Sequence, residues 1–160
     1  MATQDLEDAI HTFQIEKDIL IEAPLDIVWE SVLAELGPKM QMPDGTPMPF
    51  VLEAFPGGRW YRDLGENRGH LWGHVQVIKP PALIEIVGPM FMSYPATNHI
   101  QYRLMAENNH TRLKVLHRAL GLIPADVRGN AGIGWEYGLK RIREIAEQLL
   151  AKRKKNHDKQ

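Results

Sequence analysis

Seven histidines are the side chains of this sequence best suited to bind a metal or to transfer a proton near neutral pH. His70 and His74 have the His-x-x-x-His spacing that binds zinc when it lies on a helix. The segment around Trp72 has the composition of a strand, however, and four residues of strand separate the two rings by roughly 13 Å. Because rings so far apart cannot share one ion, we predict no metal site.

His117 is the strongest candidate for acid–base chemistry. A two-residue turn at Asn108-Asn109 predicts a hairpin that places His117 opposite Ile100 on an apolar face. A histidine there could act as a general acid or base, or orient a ligand carbonyl. Alternatively, it is hydrogen-bonded locally as a buried polar residue. Asn98, one step further along the same face, has the same two interpretations.

The other motifs do not favour nucleophilic or nucleotide chemistry. The chain has no cysteine, which excludes a Cys nucleophile, a thiolate metal site and disulfides. Ser31 and Ser93 lie in a predicted helix and a predicted loop, without the sharp turn of a serine hydrolase. The spacing of Gly132, Gly134 and Gly138 resembles a glycine-rich dinucleotide-binding loop. No strand is predicted directly before these glycines, however, as such a loop requires. We expect no cofactor, and we attribute these glycines to close packing of a helix against a sheet, with flexible access to a pocket as the alternative.

Two arginines could anchor a charged group of a ligand. Arg59 and Arg62 flank Trp60 and Tyr61 in a predicted strand, so strict alternation would turn one arginine inward. An inward guanidinium could bind a carboxylate or phosphate. Alternatively, its head reaches water at the rim while its stem packs.

An apolar loop lies between Val87 and Pro95 and contains Met90, Phe91, Met92 and Tyr94. Flexible Met side chains suit an adaptable wall that closes over the mouth of a cavity. Plugging of the core, or a contact between the subunits of a homodimer, are equal alternatives.

Composition and charge predict one globular domain. The chain has 160 residues, of which 44% are hydrophobic and 24% charged, enough for one sizeable core. Its formal net charge is −1 with five Lys or Arg residues in the last nine positions, so the body is acidic and gives no electrostatic reason to bind nucleic acid. We find no signal-peptide pattern and no stretch near the roughly 20 apolar residues that span a bilayer. We expect a cytoplasmic protein without a membrane span.

Hydrophobic periodicity predicts the elements that position these residues. A first strand covers residues 13–22, and Pro24 then begins a short amphipathic helix. Short β-favouring runs from Phe50 onward predict a meander of hairpins. After Pro124, apolar residues at helical spacing predict a long helix over residues 130–152.

The hairpin turn at Pro80-Pro81 predicts a second register. It would pair Val77 with Ile84 and Val75 with Ile86, and these residues would share one apolar face with Leu71.

Six or seven antiparallel strands, each apolar on one side, need a cover, and only the C-terminal helix is long enough. We therefore predict an α+β fold in which a curved antiparallel sheet wraps around that helix and leaves a cavity. The domain would cover residues 13–152, between an N-terminal extension (1–12) and a basic disordered tail (153–160).

Three stretches also resemble a known superfamily. They are Ile21-Glu22-Ala23-Pro24 with Val28-Trp29; Pro56-Gly57-Gly58-Arg59-Trp60 with Trp72-Gly73-His74-Val75 and Pro80-Pro81; and Gly134-Trp135 with Leu139 and Ile142. In order and spacing the chain resembles the START-like (SRPBCC, birch-pollen-allergen-like) helix-grip superfamily, and within it the single-domain homologues of the activator of heat-shock-protein ATPase. The eukaryotic activators have a further N-terminal domain without a counterpart here, so we do not expect ATPase activation.

The resemblance implies a cavity under the final helix, in a superfamily whose members bind lipids, sterols, polyketides or hormones and sometimes cyclise or hydrolyse them. We expect the cavity to hold a small hydrophobic or amphipathic molecule, such as a lipid, a polyketide or an aromatic metabolite. Its predicted walls are Phe50, Trp60, Val75, Ile86, Tyr102 and Trp135, and its predicted polar points are His117 and Asn98. The alternatives are a polyketide cyclase- or dehydratase-like enzyme that uses His117 as its acid or base, and an interaction module whose cavity is filled by its own aromatic residues.

Overall fold

The computed structural model describes residues 9–159, which form seven strands and two helices. The elements are β1 (His11–Ile21), α1 (Leu25–Leu36), β2 (Val51–Leu52), β3 (Arg59–Gly65), β4 (Arg68–Lys79), β5 (Leu83–Gly88), β6 (Ala96–Glu107), β7 (His110–Gly121) and α2 (Ala125–His157). All neighbouring strands are antiparallel, in the order β1-β7-β6-β5-β4-β3-β2. The predicted α+β class, with its curved seven-stranded sheet and long C-terminal helix, is confirmed.

The hairpin of β6 and β7 has the predicted register. Ile100 pairs with His117 and Tyr102 with Val115, and all four residues are buried. Alternation continues along both strands, because a two-residue turn at Asn108-Asn109 allows no slip.

The predicted register of β4 and β5 is correct at one end only. Val75 pairs with Ile86 as predicted, but Ile84 pairs with Ile78 rather than with Val77. A register shift between Val75 and Val77 inserts one extra residue, and such a bulge moves the following side chains to the opposite face. Ile78 therefore packs against the core in place of Val77.

The predicted position of Leu71 on the apolar face is wrong, since its side chain is 46% exposed. Trp60 pairs with Gly73 and Tyr61 with Leu71, so Trp72 is the extra residue of a second bulge. This bulge turns Trp72 toward the core and Leu71 toward solvent.

Several element boundaries differ from the predicted ones. β2 is shorter than the predicted run from Phe50, and β1 begins at His11, inside the predicted N-terminal extension. Helix α2 continues to His157, so the segment predicted as a disordered tail begins as helix, and Arg153 there pairs with Glu30 of α1 at 2.6 Å. Residues 1–8 of the predicted extension lie outside the described residues.

The core lies between the sheet and both helices. Helix α2 contributes Leu139, Ile142 and Ala146, as its periodicity predicts, but α1 contributes as much through Ile27, Val28, Val32 and Leu36. The sheet therefore has two covers rather than one. Trp60 of β3 joins the layers, because its indole N–H donates a hydrogen bond to the carbonyl of Leu36 at 2.7 Å. No helix within residues 9–159 is long and apolar enough to cross a membrane.

Candidate ligand-binding cavity

A cavity of about 430 Å³ lies between the sheet, the end of α1 and the first half of α2. It reaches the surface beside Pro43 and Asn130, which are both exposed. Most of its wall is apolar, with thioether groups from Met40, Met48 and Met90. Its aromatic side chains are Trp60, Trp72, Phe91, Tyr102, Trp135 and Tyr137.

The structure brings half of the predicted site residues together around this cavity. The four that line it are Trp60, Tyr102, His117 and Trp135. The four that are buried in the core without lining it are Phe50, Val75, Ile86 and Asn98. Phe50 supports the wall from behind, with ring centroids 5.7 Å from Trp60 and 4.6 Å from Trp72.

His117 belongs to a chain of hydrogen bonds that crosses the sheet. Trp135 of α2 donates its indole N–H to His117 Nδ1 at 3.0 Å, so Nδ1 is an acceptor. The proton of the neutral ring therefore lies on Nε2, which donates to Asn98 Oδ1 at 2.7 Å. Asn98 Nδ2 in turn donates to the carbonyls of Gly88 and Pro89 at 3.1 and 3.2 Å.

This environment keeps His117 neutral. Its side chain is 1% exposed, Phe13 packs edge-on at 5.0 Å, and burial lowers the pKa of the imidazole to about 4. Both ring nitrogens already have a partner. The geometry therefore supports the interpretation of His117 as a locally hydrogen-bonded polar residue more than that of an acid or base.

We expect the His117 ring to stay neutral, with its proton on Nε2, down to about pH 5, because protonation would need a second donor where Trp135 already donates. Long-range ¹H–¹⁵N NMR during a pH titration reports the tautomer directly. A midpoint for His117 at or above pH 6 would contradict the assignment.

Among the cavity residues that sequence reasoning missed, Glu35 is the buried carboxylate. Its side chain lies in the last turn of α1, is 8% exposed and lines the cavity. Burial raises the pKa of its carboxyl group from 4.5 to about 7, although the positive charge of Arg141 opposes the shift. Burial also raises the pKa of Tyr102 well above 10, and the Glu35 carboxylate adds to that shift. The available signal was a carboxylate on the helical stripe that also contains Val28 and Val32.

Neither of the two candidate arginines is buried. A register shift between Trp60 and Tyr61 breaks the alternation on which an inward arginine depended. Arg59 instead pairs with Glu53, with Nε 2.8 Å from Oε1, and its guanidinium lies 4.7 Å from the centre of the Tyr61 ring. Arg62 is half-buried and does not line the cavity.

The apolar loop (residues 89–95) contributes both to the cavity wall and to the core, and its closing over the cavity mouth stays a prediction. Met90 and Phe91 line the cavity. Met92 plugs a separate small cluster with Ala119 and Ile123. A homodimer contact through this loop stays a prediction.

Close packing against the sheet, the role predicted for the glycines of α2, is absent at Gly134 and Gly138, whereas a Cβ atom at Gly132 would meet Lys17 of β1 at 3.7 Å. A Cβ atom added at Gly134 would meet nothing within 4 Å, and at Gly138 it would meet only Glu35 Oε1 at 3.8 Å. Both glycines line the cavity. Their missing side chains therefore leave space at the cavity, and the alternative of flexible access stays a prediction.

Comparison with known proteins shows the fold alone. No family model and no curated protein matches the sequence. Among solved structures, a protein from Rhizobium leguminosarum superposes with a TM-score of 0.68 and 18% identity, over 88% of this chain and 97% of that chain. CalU16 from Micromonospora echinospora superposes with a TM-score of 0.58 and 17% identity, over 91% of this chain and 90% of that chain. DynU16, a protein in the dynemicin biosynthetic locus, superposes with a TM-score of 0.61 and 16% identity, over 84% of this chain and 47% of that chain. This chain therefore spans about half the length of DynU16. The class that these likenesses support is a helix-grip-like fold.

Proposed function

We propose that this protein is a START-like binding protein that holds a small hydrophobic or amphipathic molecule between its sheet and α2. The observation that carries the proposal is the cavity of about 430 Å³, which stays open although six aromatic side chains line it. Ligand sites of small molecules are clefts of about 300–1,000 Å³ with mostly apolar walls and a few polar groups. A metabolite as ligand is also compatible with the biosynthetic locus of DynU16.

The alternatives have less support. An enzyme that uses His117 as acid or base would need a free ring nitrogen at the cavity, whereas Trp135 and Asn98 occupy both. An interaction module filled by its own aromatic residues would leave room for no more than a few waters. The cavity is larger than that.

The proposal predicts that the variant Gly134→Phe closes the cavity. Gly134 lines it and has nothing within 4 Å of an added Cβ, so the new ring has open space beside an apolar wall. We expect the affinity for the neutral fluorescent probe N-phenyl-1-naphthylamine to fall about tenfold or more, equivalent to about 1.4 kcal/mol. Titration of probe fluorescence measures this change.

Gly129→Phe is the matched control. Gly129 lies on the same helix, equally has nothing within 4 Å of an added Cβ, and does not line the cavity. This variant should bind the probe as the parent does. The proposal fails if the parent does not bind the probe, or if the two variants bind it equally well.

A further inference from the structure

The cavity wall is acidic. Among the lining residues within positions 9–159, Glu35 and Asp126 carry carboxyl groups, and neither lysine nor arginine is present. Asp126 is exposed at the surface end, whereas the Glu35 side chain is more than nine-tenths buried. A ligand carboxylate or phosphate would therefore face one buried carboxyl group without a countercharge.

The Glu35 carboxyl group has no hydrogen-bond donor from the described part of the chain. Three donors around the cavity are used elsewhere: the Trp60 N–H by the Leu36 carbonyl, the Trp135 N–H by His117, and the Tyr137 O–H by Gln41 Oε1 at 3.1 Å. A buried carboxylate without donors is costly, and a ligand that supplies them regains that free energy.

Arg141 of α2 acts on Glu35 through its charge but does not donate a hydrogen bond to it. Arg141 lowers the pKa of Glu35 through its charge, but its guanidinium donates to the Lys39 carbonyl at 3.3 Å and to Glu144 Oε2 at 3.4 Å. Arg141 does not line the cavity. The side of Glu35 that faces the cavity is thus left to Tyr102 from the sheet and to the ligand.

The aromatic wall suits a cation as well. Trp60 and Trp72 pack edge to face at 5.2 Å, and Tyr102 and Trp135 do so at 6.0 Å. The negative faces of such rings attract ammonium groups, and cages of aromatic residues are a common binding site for them.

Building on the proposed function, we infer that the ligand is a lipophilic amine, with its ammonium group against the Glu35 carboxylate and its apolar body along the aromatic wall. The ammonium group supplies hydrogen-bond donors and a positive charge on the cavity side of Glu35. Because the pKa of the free Glu35 carboxyl group is about 7, an amine that enters below that pH displaces a proton from Glu35.

Three probes of one shape and different charge test this inference: 1-naphthylmethylamine, 1-naphthalenemethanol and 1-naphthoate. Isothermal titration calorimetry at pH 7.5 should show the amine binding at least about tenfold tighter than the alcohol, and the carboxylate binding weakest. In the variant Glu35→Gln the advantage of the amine over the alcohol should fall to within about threefold. Glu30→Gln makes the same change of charge on the same helix at an exposed ion pair with Arg153, and should leave the advantage intact.

The outcomes distinguish the amine inference from the proposed function of binding a small apolar molecule. If the alcohol binds as tightly as the amine, or if Glu35→Gln keeps the full advantage, the amine inference is wrong and the proposed function stands. If none of the three probes binds, the proposed function is wrong and the inference with it. The comparison of the amine with the alcohol uses the unmodified protein, so that part of the test does not depend on how well the variant folds.

Discussion

Replacing Trp60 by alanine is expected to lower the free energy of unfolding by about 4–5 kcal/mol, at the upper end for a large-to-small change in a core. Trp60 is 2% exposed and packs against both Phe50 and Trp72. The substitution also leaves the carbonyl of Leu36 at the end of α1 without the indole N–H that now bonds it. Urea denaturation followed by far-UV circular dichroism measures the loss.

Trp60→Phe separates packing from hydrogen bonding. The phenyl ring keeps most of the apolar contact and loses the bond to Leu36, so we expect about 2 kcal/mol of destabilisation. A loss below about 2 kcal/mol for Trp60→Ala would contradict the central place of Trp60 in the core. An equal loss for both variants would assign the effect to the hydrogen bond alone.

The second large effect is a pH dependence of stability that two buried groups contribute in opposite directions. The pKa of Glu35 is raised from 4.5 to about 7 in the folded protein, so the folded state holds the proton more tightly than the unfolded state. Its contribution to stability is present at or below pH 4.5 and is lost as the pH rises through 7. At 1.36 kcal/mol per pKa unit, the loss reaches about 3 kcal/mol.

His117 changes the pH dependence of stability in the opposite direction to Glu35. Its pKa is lowered from 6.5 to about 4 in the folded protein, so the unfolded state takes up the proton first when the pH falls. Its contribution is present above pH 6.5 and is lost as the pH falls through 4, again by about 3 kcal/mol. Between about pH 4.5 and 6.5, stability falls with rising pH because of Glu35 and rises with pH because of His117, and these two changes cancel in the unmodified protein.

Glu35→Gln removes the pH dependence of stability that is due to Glu35 and leaves the one due to His117. We expect this variant to match the parent near pH 4.5, to gain stability steadily up to pH 6.5, and to exceed the parent by up to about 3 kcal/mol at pH 8. Urea denaturation at intervals of half a pH unit gives both profiles. Glu30→Gln is again the control, because Glu30 is exposed and its loss should not change the shape of the profile. Parallel profiles for the parent and Glu35→Gln would show that Glu35 is not buried as described.

The sequence predicts register well where a turn leaves no freedom and poorly where a strand contains a bulge. The Asn108-Asn109 turn fixed the pairing of His117 with Ile100. The bulges beside Val75 and at Trp72 have no comparable signal, since any residue can be the extra one. Each bulge reversed the expected direction of the next side chain, and this moved Val77 and Leu71 away from the core.

The site was predicted only in part for a related reason. An apolar pattern predicts that a side chain is buried, but not whether it faces other atoms or an open space. Trp60 and Tyr102 face the cavity, while Val75 and Ile86 are equally buried and do not. Glu35 was missed because a single acidic residue near the end of a helix usually lies in solvent.

The hydrogen bond between Trp135 and His117 holds one part of α2 in place beside the cavity, whereas the part of α2 before Trp135 is rich in glycine. Displacing the Trp135 indole would leave the imidazole nitrogen without a donor, at a cost of about 1–3 kcal/mol, so this part of α2 resists motion. The turns just before it contain Gly129, Gly132 and Gly134, each of which favours a helix less than alanine by about 1 kcal/mol. We therefore expect the glycine-rich turns before Trp135 to yield more readily than Trp135 itself when a molecule enters the cavity.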